Sequence, residues 1–231
     1  MKKKTIALAL VLVMVFGATL GGTFAYLTSQ KTITNTFTVG NVQIKLDEAD
    51  MSTDDPNDRT VQGNQYHLLP GQTYAKDPTV TVLEGSEEAY VRVLVTITDC
   101  KDVDAAIAKV NAARANADPA KTPIGLMDLF AGYDGETWIY HSMTKNESAT
   151  TDDYSRTYEF WYKEPVTAPE DDKDVVVEGE KLKPLFTSVI VPDEIDNTSL
   201  ESISDMQIIV NAHAIQAAGF DSPDAAWAAW N

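Results

Sequence analysis

"EAYVRVLVTITD", residues Glu88–Asp99, is the stretch on which the fold turns. Val91, Val93, Val95 and Ile97 fall on alternate positions, with Tyr90, Arg92, Thr96 and Thr98 between them. Successive side chains of a strand point to opposite faces, so this spacing describes a β-strand with one buried and one wetted face. Leu94 alone breaks the polar face. The same period recurs on either side. Ile33, Phe37 and Val39 share one face against Thr34, Thr36 and Thr38, and Val42, Ile44 and Leu46 resume the alternation after Gly40. "LLPGQTYAKDPTVTVL" opens on a Pro-Gly turn and ends in a strand carrying Val80 and Val82. "GETWIYH" and "RTYEFWYKEPV" form an aromatic strand pair about the polar turn "SMTKNESATTDDYS". "LFTSVIVP" and "MQIIVNAHAIQA" supply further strands; in the second, Ile208, Val210, Ala212 and Ala214 alternate with Gln207, Asn211 and His213.

Two stretches change period. Val103, Ile107 and Val110 lie at helical spacing among alanines, and Pro119 ends the run, so residues 103–117 are predicted to be one inserted helix. Near the C-terminus Ser222 can cap a short helix with Pro223 at its first position, which places Trp227 and Trp230 on one face. The acidic "DEADMSTDDPNDR" reads as a solvated loop, and "APEDDKDVVVEGEKLKP" as a long surface hairpin or mobile loop. Many short strands, few helices and turn signals between them predict a mainly β chain, a jelly-roll-like β-sandwich with one inserted helix and a short C-terminal helix.

The N-terminus has the three parts of a secretory signal peptide: Lys2, Lys3 and Lys4, an apolar run from Ile6 to Phe16, and Thr23-Phe24-Ala25 before a cut between Ala25 and Tyr26. The competing reading is an uncleaved anchor, because Thr5 to Leu27 approaches the roughly 20 residues that a bilayer needs. The dense apolar part is shorter than that, and no positive cluster follows it, which favours cleavage. Cutting 25 residues from 231 leaves 206, within single-domain range, so residues 26–231 are expected to form one sandwich domain. Losing three lysines takes the formal charge from −17 to −20. Such a surface argues against nucleic acid, whose phosphates need a basic face, and against anionic lipid. The expected contact with membrane is transient, through the leader.

No catalytic signature stands out. Cys100 is the single cysteine, so an intrachain disulfide is impossible; it reads as a core or edge residue, with Asp99 and Asp102 expected to raise its pKa. His67, His141 and His213 are far apart and form no H-E-x-x-H. Ser142-Met143-Thr144-Lys145 matches S-x-x-K but lacks the partner motifs and is placed in a polar turn. Asp54-Asp55 and Glu170-Asp171-Asp172 offer carboxylate oxygens for weak calcium binding without the spaced loop pattern, and solvated charge is the simpler reading. The leader is bacterial in style, so the glycosylation acceptors matched by Asn146-Glu147-Ser148 and Asn197-Thr198-Ser199 are expected to matter little. "LPGQT" at Leu69–Thr73 is not read as a wall-sorting motif, since the "AAWAAWN" end lacks a hydrophobic tail and basic stop. No cofactor and no metal ligand set is expected.

Three ordered segments carry a resemblance: "GGTFAYLTSQKTITNTFTVGNVQIKLDE", "LLPGQTYAKDPTVTVLEGSEEAYVRVLV", and "LFTSVIVP" through "MQIIVNAHAIQAAGF" to "AAWAAW". Together they resemble the TasA- and camelysin-like family of secreted proteins, while Lys101 to Lys183 has no matching motif. The resemblance implies a leader cut by a dedicated SipW-type signal peptidase, a jelly-roll-like fold, and extracellular fibres built by strand addition from one subunit to the next. It therefore implies a secreted structural protein of the cell surface or biofilm matrix. Its partner would be a second copy or a paralogue, and its candidate donor strand would include Tyr26, Leu27, Thr28, Ile33, Phe37 and Val39. An ordinary first strand within its own domain is the alternative for this segment. Some relatives are called metalloendopeptidases; with no zinc motif here, that activity is not carried over. A further alternative is a secreted adhesin or binding module, in which Trp138, Tyr140, Trp161 and Tyr162 would form a sugar-stacking platform or, more simply, alternate in the core.

Overall fold

The computed structural model describes residues 41–55, 57–169 and 178–230, all within a compact unit spanning Gly40–Asn231. The chain is mainly β, a β-sandwich with few helices, as the alternating pattern predicts. Its strands are β1 (Ile44–Ala49), β2 (Arg59–Thr60), β3 (Thr73–Ala75), β4 (Thr79–Leu83), β5 (Ala89–Ile97), β6 (Phe130–Ala131), β7 (Trp138–Glu147), β8 (Tyr154–Tyr162), β9 (Gly179–Lys181), β10 (Ser188–Ile190) and β11 (Ile208–Gln216). They form three antiparallel sheets with orders β2-β1-β4-β9, β3-β10-β6 and β11-β5-β8-β7.

β5 behaves as its sequence dictates. Ala89, Val91, Val93, Val95 and Ile97 are buried and the residues between them are half-buried. β5 is flanked on both sides, by β11 over nine residue pairs and by β8 over six. A two-sided neighbour leaves no freedom of register, because a one-residue slip would turn every valine to the wrong face. Val80 and Val82 of β4 join the same core, with Phe160 of β8 and Leu185 and Phe186 ahead of β10.

The inserted helix, α1, spans Cys100–Ala117 and buries Cys100, Val103, Ala106 and Val110 along one stripe. It begins three residues before its apolar period does. Asp99 stands at its N-cap with φ 51° and makes no side-chain cap. The Asp153 carboxylate, from the β7–β8 turn, accepts from the Lys101 amide at 3.1 Å instead. Two short helices follow. α2 (Asn197–Ser202), which the period reading misses, is capped by Asp196 accepting from the Ser199 amide at 2.6 Å. α3 (Pro223–Ala228) has the expected Ser222 cap, at 3.2 Å from the Ala225 amide, and Pro223 at its start. A 3-10 turn, Leu126–Leu129, precedes β6.

Several loop expectations are corrected. The acidic "DEADMSTDDPNDR" is not solvated throughout: Asp47 and Glu48 lie in β1 and are 6% exposed. Each is buried because a cation meets it. Arg59 of β2 clamps Asp47 at 2.7 Å and also reaches Asp77, while Lys76, 7% exposed, holds Glu48 at 2.7 Å. The turn expected over residues 142–155 shrinks to 148–153, because β7 runs on to Glu147. Ser142–Lys145 therefore stands on a strand. The "APEDDKDVVVEGEKLKP" stretch contributes β9, paired with β4, and buries Ala168 and Leu182; residues 170–177 lie outside the described residues. Gly179 is required there: its φ is 146°, and a Cβ would meet the Val82 carbonyl oxygen at 2.2 Å.

Candidate functional site

The sheet β11-β5-β8-β7 presents two features with functional content, its β7 edge and its outer face. β7 is ten residues long and pairs only with β8 among the described strands. Every residue from Ile139 to Glu147 except Ser142 is exposed, including Ile139, Tyr140 and Met143. The pairing register shifts between Tyr140 and Ser142, so His141 is a one-residue bulge. A long edge offers unpaired N–H and C=O groups along one side, a template for another strand.

The outer face is built by side chains opposite the β5 valines. His213, Arg92 and Trp161 stand opposite one another on β11, β5 and β8. Arg92 Nε donates to His213 Nδ1 at 3.2 Å and its Nη1 to Glu159 at 3.2 Å. Glu159 also accepts from Trp161 Nε1 at 2.7 Å and from Ser142 Oγ at 3.3 Å. The bulged His141 stacks on Trp161 with centroids 3.8 Å apart. α3 and the residues after it lie over this row. The Arg92 guanidinium sits 4.4 Å from the Trp227 ring and 5.5 Å from Trp230, and Trp230 stacks on His213 at 5.0 Å and 16°. A guanidinium is attracted to the negative face of an indole, so Arg92 binds α3 to the sheet. Burial lowers the His213 pKa first, Arg92 lowers it further, and Glu159 partly opposes them.

The four aromatics nominated as a platform are not brought together. Trp138 is fully buried and donates from Nε1 to the Lys183 carbonyl at 2.9 Å, with Tyr162 edge-on to it. Tyr140 is exposed beside Phe160, and only Trp161 belongs to the outer cluster. Its real partners, Arg92, His141, His213, Trp227 and Trp230, come from four other segments. The one sequence signal for the cluster was the paired tryptophans of the C-terminal helix.

Cys100 is buried and its thiol donates to the Ile97 carbonyl at 3.2 Å. Its pKa is raised as expected, but burial is the main cause. Arg156 opposes it, and the acids that add to it are Asp104 and Asp153 rather than Asp99 and Asp102. Arg156 also ties β8 to α1 by a two-point contact with Asp104. Among the described residues no group of three or more His, Cys, Asp or Glu side chains could hold a metal ion, and no helix is long and apolar enough to cross a membrane. The cleavage pair Ala25 and Tyr26 and the candidate donor residues Leu27, Thr28, Ile33, Phe37 and Val39 lie outside the described residues.

Compared with known proteins, the chain matches no protein-family model, no curated protein and no solved structure.

Proposed function

We propose that this chain is a secreted, non-catalytic structural subunit of a cell-surface or biofilm-matrix fibre, in which an N-terminal strand of one copy adds to the sheet of the next. The observation that supports it is β7, ten residues long, exposed, and paired on one side only among the described strands. Strand addition draws affinity from main-chain hydrogen bonds and specificity from alternate side chains. The alternating "TITNTFTV" segment, Thr32–Val39, carries β-branched and aromatic residues suited to such pairing. A leader cut after Ala25 would leave this segment near a free end, so export would precede assembly. The resemblance to TasA- and camelysin-like proteins points the same way. Deleting Tyr26–Lys31 is expected to leave a folded monomer that forms no fibres by electron microscopy. Met143→Lys, which sets a charge on the β7 edge, should slow elongation without changing the fold. Fibres of normal length from the deletion variant sink the proposal.

The outer-face cluster favours a second reading, a secreted adhesin. His141 is exposed on top of Trp161, and Trp230 is 41% exposed, so aromatic surface reaches solvent beside Glu159 and Asn211. Saturable glycan binding that is lost in Trp161→Ala and kept in the fibre-deficient deletion would establish it in place of the fibre role.

A further inference from the structure

The C-terminal helix rests on the sheet through Arg92 and Trp161, and the segment after it rests on the imidazole of His213, which bonds to Arg92. His213 Nδ1 accepts from Arg92 Nε at 3.2 Å, which requires a lone pair on Nδ1 and so the tautomer protonated at Nε2. The same imidazole is the surface on which Trp230 stacks. Arg92 in turn holds Trp227 and Trp230 against the sheet. One side chain thus joins β11, β5 and the segment that follows α3.

We propose that α3 and Trp230 form an acid-released cover over the outer face of the β11-β5-β8-β7 sheet, with His213 as the group that opens it. A proton on Nδ1 removes the acceptor of the Arg92 hydrogen bond and sets an imidazolium directly beside a guanidinium. The two like charges then compete for one carboxylate, Glu159, which already accepts from Arg92, Trp161 and Ser142. The groups facing His213 are Arg92 from β5 and Glu159 from β8. From the C-terminal segment the facing surface is the Trp230 ring, and from β7 the nearby titratable ring is His141, stacked on Trp161.

The closed arrangement also carries a defect that makes it easy to open. Trp227 is 7% exposed, yet its Nε1 has no hydrogen-bond partner among the described residues. Burying a donor without an acceptor costs free energy that water would return on opening. α3 is only six residues long and buries just Ala226 and Trp227. Segments of this kind open locally at lower cost than the core. Opening uncovers a row of His213, Arg92 and Trp161, which stand opposite one another on β11, β5 and β8.

The direction with pH follows from linkage. The closed state holds the His213 pKa below its ordinary value of 6.5, so the open state binds the proton more readily. Closure is therefore complete above about pH 6.5 and is lost as pH falls through the lowered value.

The test uses the full chain labelled with fluorotryptophan, its Trp230 resonance identified by Trp230→Phe. The titration runs from about pH 8 to about pH 5 and is read by fluorine NMR, across the range where a histidine changes charge. The Trp230 resonance should move to the solvent-exposed position with a midpoint below the ordinary histidine value, while the fully buried Trp138 stays fixed. His213→Phe keeps a stacking ring without a titrating nitrogen and should abolish the transition. A Trp230 resonance that ignores pH overturns the proposal. So does a transition that persists in His213→Phe, since another group would then be its cause.

Discussion

The pair Lys76–Glu48 shows how single residues hold this sandwich. Both side chains are 8% exposed and meet at 2.7 Å, and Asn64 Nδ2 donates to the second Glu48 oxygen at 2.9 Å. A buried pair is a weak source of net stability, since desolvation of two ions offsets much of their attraction. Removing one partner is a different matter, because it strands the other charge away from water. Lys76→Ala is expected to lower unfolding stability by about 3–5 kcal/mol, whereas a double replacement by apolar residues of similar size should cost far less. Urea denaturation of the two variants separates these outcomes. Neither burial was legible in the sequence, where Asp47 and Glu48 open a run of acids that reads as solvent-facing. Alternation tells which positions can be inside. It does not tell that Lys76, 28 residues from Glu48, arrives to neutralise it.

At the scale of elements, legibility followed the length of the pattern. β5, β11 and β8 announce themselves because each is nine residues long and alternates polar with apolar positions, whereas β7 is read only as far as His141 and runs on to Glu147. β2 and β6 have two residues each, too few to carry a period, and exist because a partner strand lies alongside. α1 was legible in its body and misread at its start, since the Lys101 amide is satisfied by Asp153 from a turn about fifty positions on, not by a local side-chain cap. The outer aromatic row was illegible for the same reason: no local spacing relates Arg92, His141, Trp161 and His213. β9 gives the test that belongs here. Gly179→Ala would place a methyl group against the Val82 carbonyl at a strained φ, and is expected to cost about 1–3 kcal/mol and free β9 from β4. Hydrogen exchange at Gly179–Lys181 should then rise while β5 remains protected.

For the whole molecule the dominant long-range term is charge. With 35 acids against 18 lysines and arginines, like-charge repulsion between copies is strong at low ionic strength. At ionic strength near 0.15 M the Debye length falls to about 8 Å, which leaves contacts intact and removes most of that repulsion. Association measured by light scattering at neutral pH should therefore rise with salt, and should rise again on mild acidification.

The bulge at His141 has a consequence for any strand laid along β7. Side chains on either side of it are out of phase, so a regular incoming strand can match the three residues before it or the six from Ser142 to Glu147, but not both. A partner that ran through the break would need an extra residue of its own at the matching place. The bulge thus works as a phase stop: it caps how far a regular second strand can zip.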